Sequence, residues 1–226
     1  MPKAARGDEA KPVRGQTRRG AETRARLVQA AKEIFERDGF LEARITDIAQ
    51  RAGVSHGSYY HYFDSKEQLF REVAELQEEG LTAPADDPRL ANSPDDTARE
   101  RIGKANRRYL ERYRDEAQIM GVIEQVSRYD EHVNDVRMKR MHFFADRSER
   151  AIRHWQSEGI ADRSVDPVFA ADALGAMVGR LAELWLVQGY REYEFEHAVE
   201  QLSRLWSNAL GLPDAPPPRR RARRTS

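Results

Sequence analysis

The chain of 226 residues contains no cysteine, and its apolar residues form no long uninterrupted run. The lack of cysteine excludes a disulfide scaffold, a thiolate nucleophile and a cysteine-ligated zinc or iron–sulfur site. The longest apolar stretch, from Phe169 to Gly179, is interrupted by Asp172 and falls short of the ~18 residues that span a bilayer. No apolar segment of the secretory type follows the basic N-terminus. We therefore expect a cytoplasmic chain without membrane contact.

Strand patterns are also lacking, since no stretch alternates convincingly between apolar and polar residues. Hydrophobic residues make up 39% of the chain, charged residues make up 34%, and the mean hydropathy is −0.82. A core built from so few apolar residues requires amphipathic helices with wide polar faces. The first such stripe consists of Leu27, Ala30, Ala31, Ile34 and Phe35 and ends at Gly39. The sequence therefore predicts an all-α fold.

Capping signals mark the starts of several predicted helices. Ser65 and Gln68 have the spacing of a capping box, ahead of a helix expected to turn Leu69, Phe70, Val73 and Leu76 inward. Ser93-Pro94-Asp95-Asp96 predicts one helix start, and Asp166-Pro167 predicts another. Further helices are predicted over 116–128 and 131–158, and a last one over 195–209.

The net charge of zero conceals an uneven distribution along the chain. Residues 1–64 carry a net charge of +3, residues 215–226 carry +5, and the body between them carries −8. Two basic ends favour a polyanionic partner for the ends and a different role for the acidic body.

One short segment has the pattern of a helix-turn-helix. Ala52-Gly53-Val54-Ser55 joins two predicted helices, with a glycine for the tight turn and Val54 to fill the space between them. The helix predicted from Ser55 to Phe63 exposes small polar, histidine and tyrosine side chains. Such side chains donate to phosphate oxygens or base edges, and His56, Gly57 and Ser58 leave room for close approach to a major groove.

The run from Gly39 to Leu69, G-F-x-x-A-R-I-x-x-I-A-x-x-A-G-V-S-x-G-S-x-Y-x-Y-F-x-S-K-E-x-L, resembles the DNA-binding domain of the TetR family of bacterial transcriptional regulators. The resemblance implies that Tyr60, Tyr62 and Lys66 hold the DNA backbone. It further implies that Thr46, His56, Gly57, Ser58 and His61 face the groove. Members of this family are usually homodimers that bind double-stranded operator DNA, bind a small effector in their remaining helices, and dimerise through the last two.

The chain departs from the family pattern at the start of the second helix. Ala43-Arg44 stands where the family commonly has a threonine or serine cap, so a stabilising contribution of about 1 kcal/mol is lost. Arg44 is instead available to a phosphate. The predicted DNA-contacting residues are Arg44, Thr46, Ser55, His56, Gly57, Ser58, Tyr60, His61, Tyr62 and Lys66.

Methionine and aromatic residues crowd together in the body, which indicates a cavity for a small apolar or amphipathic effector. The predicted effector-binding residues are Tyr109, Tyr113, Met120, Met141, Phe144, Trp155, Met177, Arg180 and Trp185. The body's negative charge argues against a strongly anionic effector, although an acyl-CoA stays possible if Arg180 or the basic ends meet its phosphates. The alternative is a fully packed core in which Arg180 and Glu183 pair with each other on a solvent-facing side.

The predicted organisation has five parts. They are a flexible basic arm (1–20), a helix-turn-helix DNA-binding domain (21–80), a linker (81–93), an effector-binding and dimerisation domain (94–212) and a disordered arginine-rich tail (213–226). No cofactor is expected.

Other classes of function have less support from the sequence. Gly53-Val54-Ser55-His56-Gly57 spells the G-x-S-x-G elbow of hydrolases, but that chemistry needs a strand before the serine, and a helical pattern precedes it. His132, His142, His154 and His197 lack metal-ligand spacing. An enzyme in the body is disfavoured because no acid–base constellation appears. A body that binds a protein rather than a metabolite is the alternative that stays open.

Overall fold

A computed structural model describes residues 18–84 and 88–213, and all regular structure in these ranges is helical. The helices are α1 (Arg18–Glu42), α2 (Ile45–Arg51), α3 (His56–Tyr59), α4 (Lys66–Thr82), α5 (Ala98–Asp115), α6 (Ala117–Val126), α7 (Glu131–Ser157), α8 (Pro167–Ala182) and α9 (Phe195–Ala209). A short 3₁₀ turn covers Pro88–Leu90, and a π-helical turn over Glu183–Val187 continues α8. The all-α prediction is confirmed.

The two predicted flexible ends fall almost entirely outside the described residues. Residues 1–17 of the basic arm and residues 214–226 of the tail lie outside them. Residues 18–20, which were expected in the arm, belong to α1 instead. Thr23 Oγ1 donates to the carbonyl of Arg19, and Arg18 pairs with Glu22 one turn later, so side-chain bonds support this first turn.

Helices α1 to α4 form the N-terminal domain around a small aromatic core. The rings of Phe35 and Phe40 each lie 5.0 Å from the ring of Phe70 in an edge-to-face arrangement. Gly39 has φ of +74°, a conformation that glycine adopts without strain, so the chain turns there and returns Phe40 to the core. Burial of each such side chain stabilises the fold by about 1.5–3 kcal/mol.

The predicted helix start at Ser93 is wrong by four residues. Helix α5 begins at Ala98, because Thr97 accepts from the Glu100 N–H at 3.2 Å while the Glu100 carboxylate accepts from the Thr97 N–H at 2.7 Å. This reciprocal capping box satisfies two helix-end donors. Asp96 is used outside the helix, where it accepts from the Ser93 N–H and pairs with Lys104 at 2.8 Å.

Two details at α4 also differ from expectation. Ser65 accepts from the Gln68 N–H at 3.1 Å, as predicted, but the Gln68 side chain accepts from Asp64 rather than from Ser65. Only half of a capping box therefore forms. Leu76 was expected in the core, yet 48% of its surface is exposed, whereas Leu69 is buried.

Helices α5 to α9 form the body, which the N-terminal domain contacts through α1 and α4. Helix α1 packs against α6, and α4 packs against α7. The Lys32 ammonium lies 2.6 Å from the Glu116 carboxylate across the first of these contacts. In the described part of the chain, no helix combines the length and apolar character that crossing a membrane requires.

Candidate nucleic-acid interface and ligand cavity

The connection between α2 and α3 is the tight turn that the sequence predicts. Gly53 has φ of +68°, and its N–H donates to the Gln50 carbonyl at 3.1 Å. The next residue, Val54, donates to the Ala49 carbonyl at 3.0 Å and packs against the buried core. Ser55 then caps α3 by accepting from the Ser58 N–H at 3.1 Å. Two short helices are thus held at a fixed angle, as in a helix-turn-helix.

Helix α3 is shorter than predicted, ending at Tyr59 rather than near Phe63. The His61 N–H donates to the Ser58 carbonyl and the Tyr62 N–H to the Tyr59 carbonyl, a spacing of three residues that tightens the last turn. Tyr60, His61 and Tyr62 therefore extend from this turn rather than from a regular α-helix.

The outer surface of α3 is open. His56, Gly57 and His61 are exposed, and a Cβ atom added at Gly57 would meet nothing within 4 Å. Tyr60 is 47% exposed, and its ring stacks edge-on against the ring of His56 at a centroid distance of 5.3 Å. This surface presents hydroxyl and imidazole groups at a point where a helix backbone can approach a groove.

Beneath this surface, Tyr59 anchors the recognition turn to the start of α4. Its ring is fully buried, and its hydroxyl donates to the Ser65 carbonyl at 2.8 Å. Burial raises the pKa of the Tyr59 hydroxyl, which therefore stays a donor at any ordinary pH. The guanidinium of Arg24, which sequence reasoning did not single out, donates to the Tyr62 carbonyl at 2.9 Å and lies over the Phe63 ring.

Lys66 occupies a different environment from the one the resemblance implies. Its ammonium donates to the carbonyls of Phe40, Leu41 and Ala43 at 2.7–3.1 Å and lies 4.7 Å from the centre of the Phe40 ring. All three donors of the ammonium are therefore used within the protein. Lys66 clamps the chain between α1 and α2, and a phosphate contact would have to displace one of these carbonyls.

The remaining predicted contact residues lie around the same face. Arg44 is exposed at the start of α2 and provides no side-chain cap, as expected from the missing threonine or serine. Thr46 is exposed, and its hydroxyl lies 3.2 Å from the Asp47 carboxylate. The hydroxyls of Ser55 and Ser58 are 2.8 Å apart. Polar side chains are therefore present at the start of α2, at the turn and on α3.

The body contains a partly open cavity of about 880 Å³ between α5, α7 and α8. Its volume lies within the ~300–1,000 Å³ range of small-molecule sites. The aromatic part of the wall includes Tyr109, whose ring lies edge-to-face with Phe144 at a centroid distance of 5.5 Å and also contacts Tyr113. Burial raises the pKa of the Tyr109 hydroxyl. The fully packed core that was the alternative is absent here.

The structure places the predicted effector residues in two groups. Those that line the cavity are Tyr109, Tyr113, Met141, Phe144, Trp155 and Arg180. Those that do not are Met120, Met177 and Trp185. Met120 is 2% exposed in the core, Met177 packs against the core, and the Trp185 ring contacts Tyr193 and Phe195 instead. The crowding of large apolar residues therefore indicated a cavity in the body, but it did not indicate which side of each helix faces that cavity.

Arg180 and Glu183 form the expected ion pair, at 2.6 Å, but in a different setting. Glu183 is only 7% exposed and the Arg180 side chain is 56% exposed, and both residues line the cavity. The carboxylate also accepts from Gln188 at 2.8 Å. This pair therefore belongs to the cavity wall.

The turn at Gly53, the open α3 and its polar surface define a helix-turn-helix domain of the DNA-binding class. Residues 27–73 match the family described as bacterial regulatory proteins, tetR family. Over this domain the chain is therefore similar to the TetR family of transcriptional regulators.

Curated relatives resemble the chain over a limited number of residues. The HTH-type transcriptional regulator YdgC of Bacillus subtilis, itself described as uncharacterized, is 42% identical over 55 residues, which are 24% of this chain and 28% of YdgC. The regulator UidR of Escherichia coli is 36% identical over 66 residues, which are 29% of this chain and 34% of UidR. The chain thus matches about a third or less of the length of these relatives.

Solved structures resemble the fold over most of the chain. A TetR-family transcriptional regulator from Streptomyces coelicolor has a TM-score of 0.67 and 17% identity, over 84% of this chain and 80% of that one. A TetR-like transcriptional regulator from Rhodococcus sp. RHA1 has a TM-score of 0.62 and 21% identity, over 84% of this chain and 96% of that one. The whole described fold, including the body, is therefore of this type.

Proposed function

We propose that the protein is a transcriptional repressor that binds a palindromic operator as a homodimer and is released by a small, largely apolar effector. The observation that carries this proposal is the position of α7. This helix lines the cavity and is also ion-paired to α4, the last helix of the DNA-binding domain. A change in the cavity can therefore reach the surface formed by α3.

Three side chains on one face of α4 connect it to the start and middle of α7. The pairs are Arg71 with Asp130 (2.9 Å), Glu75 with His132 (2.7 Å) and Glu78 with Arg140 (2.9 Å). Residues spaced by four and three positions lie on the same side of a helix. Glu78 and Arg140 are both buried, and Arg140 lines the cavity. An effector that displaces α7 would therefore move α4 and change the angle of the recognition turn.

Dimerisation is assigned to the exposed apolar side chains of α8 and α9. Phe169 is 74% exposed, Val168 is 45% exposed, and Leu205 on α9 is 52% exposed. Trp206 on α9 is only 7% exposed and packs within the chain, so it is not part of this face. Two copies facing each other through α8 and α9 would cover the exposed side chains and hold two α3 helices one or more DNA turns apart, ~34–36 Å.

The dimer can be tested by sedimentation of the full chain. Replacing Phe169 by Glu buries a charge in the proposed interface, so we expect a monomer at micromolar concentration with loss of specific DNA binding. Leu76→Glu, an equally apolar exposed position on α4, is the matched control and should stay dimeric. Gly175→Glu on α8 is unsuitable for this purpose because Gly175 lines the cavity. A wild-type monomer would overturn the dimer proposal.

Effector release can be tested by filling the cavity. A Cβ atom added at Gly175 meets nothing within 4 Å, so Gly175→Leu places a side chain in open space. We expect this variant and Trp155→Ala to bind operator as the wild type does but to lose release by compounds found in a thermal-shift screen. At ~100 times Kd, a ligand stabilises the wild type by ~2.7 kcal/mol. Release that persists in Gly175→Leu would place the effector elsewhere.

A body that binds a protein partner is the second candidate. The cavity, with its aromatic wall, supports a small molecule over this alternative. Stabilisation by small compounds in the screen would favour the effector, whereas a response to no compound would favour the protein partner.

A further inference from the structure

The cavity wall carries an excess of positive charge. Seven arginines line it, against three carboxylates, Glu124, Asp172 and Glu183. The net charge of the whole body, −8 over residues 65–214, argued against an anionic ligand. The local charge is of the opposite sign, and a ligand experiences the charges that line its site rather than the average of the domain.

Four of these arginines, here called the arginine cluster, line the cavity from two helices: Arg101, Arg108, Arg147 and Arg150. Arg101 and Arg108 are seven residues apart on α5, and Arg147 and Arg150 are three apart on α7, so each pair lies on one side of its helix. Backbone carbonyls hold the α5 pair in place, since Arg108 donates to Leu90 at 3.1 Å and Arg101 to Ser93 at 3.1 Å.

This arginine cluster makes no ion pair with a carboxylate of the described residues. The other three cavity arginines each have one: Arg137 with Glu124, Arg140 with Glu78, and Arg180 with Glu183. Burial lowers the pKa of Arg108, and the positive charge of Arg147 lowers it further. Like charges held together without a counter-charge are the electrostatic arrangement of an anion site.

The unsatisfied buried polar atoms in the wall are also donors. Nη1 of Arg140 and Nε1 of Trp206 are buried and have no hydrogen-bond partner within the described chain. Both residues line the cavity and are more than nine-tenths buried. Buried donors of this kind find an acceptor in a ligand or a water. The wall therefore favours a ligand that is rich in acceptors.

We propose that the effector is an amphiphilic anion whose acidic group is bound by the arginine cluster, while its apolar part packs against Tyr109, Phe144 and Trp155. Arginine binds carboxylate and phosphate with paired, charge-assisted hydrogen bonds. Arg147 and Arg150 are exposed, whereas Trp155 is buried, so the acid lies nearer the solvent and the apolar part lies inside. This inference rests on the proposed function, because it names the chemical class of the effector.

The test compares ligands with the same apolar chain and different head groups. Dodecanoate, dodecyl phosphate and 1-dodecanol are titrated into the full-length protein by calorimetry, below their aggregation concentrations and without DNA. We expect both anions to bind at least about tenfold more tightly than the alcohol, since charge-assisted hydrogen bonds contribute this much or more. Comparison of the affinities for the two anions then shows whether the site prefers a carboxylate or a phosphate head group.

Variants locate the anion. Arg108→Gln combined with Arg147→Ala should remove most of the preference for dodecanoate over 1-dodecanol. Arg153→Ala is the matched control, because Arg153 is an exposed arginine on α7 that pairs with Glu149 and does not line the cavity. It should keep the preference.

Equal affinity of the wild type for the alcohol and the anions would overturn the inference, as would a preference that survives the double substitution. Operator binding is measured separately by fluorescence anisotropy. This measurement distinguishes a failure of the anionic-effector inference from a failure of the proposed function. A protein that releases its operator with a neutral compound keeps the proposed function and refutes the anionic effector. A protein that selects no operator refutes the proposed function itself.

Discussion

Tyr59 and Tyr60 are neighbours at the end of α3, yet their hydroxyls have different environments. The Tyr59 hydroxyl is bonded inside the protein, to the Ser65 carbonyl, whereas Tyr60 is about half exposed beside His56. Of these two tyrosines, the family resemblance implied DNA contact only for Tyr60. The structure adds the reason why its neighbour serves the fold instead.

Tyr60→Phe should weaken binding to specific and scrambled duplexes by the same factor, about tenfold. The lost hydrogen bond to a charged phosphate contributes about 1.5–3 kcal/mol, and phosphate contacts do not read sequence. Fluorescence anisotropy at fixed salt concentration measures both affinities. Tyr59→Phe is the control, which should lower the melting temperature by a few degrees and leave DNA affinity unchanged. Unchanged affinity of Tyr60→Phe would remove this residue from the interface.

Lys66→Met should destabilise the N-terminal domain by at least about 2 kcal/mol, because the carbonyls of Phe40, Leu41 and Ala43 lose a charged donor. The midpoint of urea unfolding measures this loss. The salt dependence of DNA binding tests the alternative that Lys66 contacts phosphate. Removal of one phosphate contact lowers the slope of log affinity against log salt concentration by about one. A lowered slope with an unchanged midpoint would show that Lys66 contacts phosphate rather than clamping the turn.

At the scale of helices, local signals predicted most starts and failed where two signals competed. Asp130 and Asp166 cap α7 and α8 as expected, each accepting from the N–H three residues later. Ser93 also has a strong local signal, but Thr97 with Glu100 forms a complete capping box four residues on. The end of α3 was not predictable from local pattern, because the burial of Tyr59 and Phe63 sets it.

The cavity could be predicted only in part, since periodicity does not say which side of a buried helix faces an empty space. Trp155 and Phe144 line the cavity, whereas Met120 and Trp185 face other helices. Of the seven arginines of the wall only Arg180 was predicted, because charge was counted over the whole body. The signal that would have found the other arginines is the charge on one face of each helix. Arginines recur at i, i+7 on α5 and at i, i+3 on α7.

The contact between α4 and α7 should weaken in acid. Burial acts to raise the pKa of Asp130, but hydrogen bonds from Arg71 and from the Val133 N–H outweigh it and hold that pKa below its ordinary value. A pKa lowered by folding means that the carboxylate stabilises the folded state above the ordinary range of aspartate. This contribution is lost as the pH falls through the lowered value.

Asp130→Asn tests this dependence because asparagine keeps the helix cap and removes only the charge. We expect it to lower stability at pH 7 by at most about 1 kcal/mol, since Arg71 is 44% exposed, and to differ less from wild type at about pH 3. Thermal unfolding across this pH range is the measurement. Asp135→Asn, an exposed carboxylate on α7, should change neither value. A difference between Asp130→Asn and wild type that grows in acid would contradict the sign.

For the described molecule as a whole, the N-terminal domain and the body are joined by the contacts of α4 with α7 and of α1 with α6. The N-terminal domain presents a polar surface at α3, the body contains a partly open cavity of about 880 Å³, and α7 pairs with α4 between them. Glu78 and Arg140 lie at the centre of this contact, and burial raises the pKa of Glu78 against the opposing charge of Arg140. Because the charge of Arg140 does not fully offset the cost of burying the Glu78 carboxylate, a ligand in the adjacent cavity can shift this ion pair.

DNA selection by the full-length protein tests the central claim most directly. Fragments of the source genome are bound, recovered and sequenced, in parallel with Tyr60→Phe. A dimeric helix-turn-helix regulator enriches a few sites with two inverted half-sites, centred about 34–36 Å or a multiple of that distance apart, and Tyr60→Phe enriches the same sites less strongly. Recovery of no sequence above background by the wild type, or of sites without inverted symmetry, would contradict the claim.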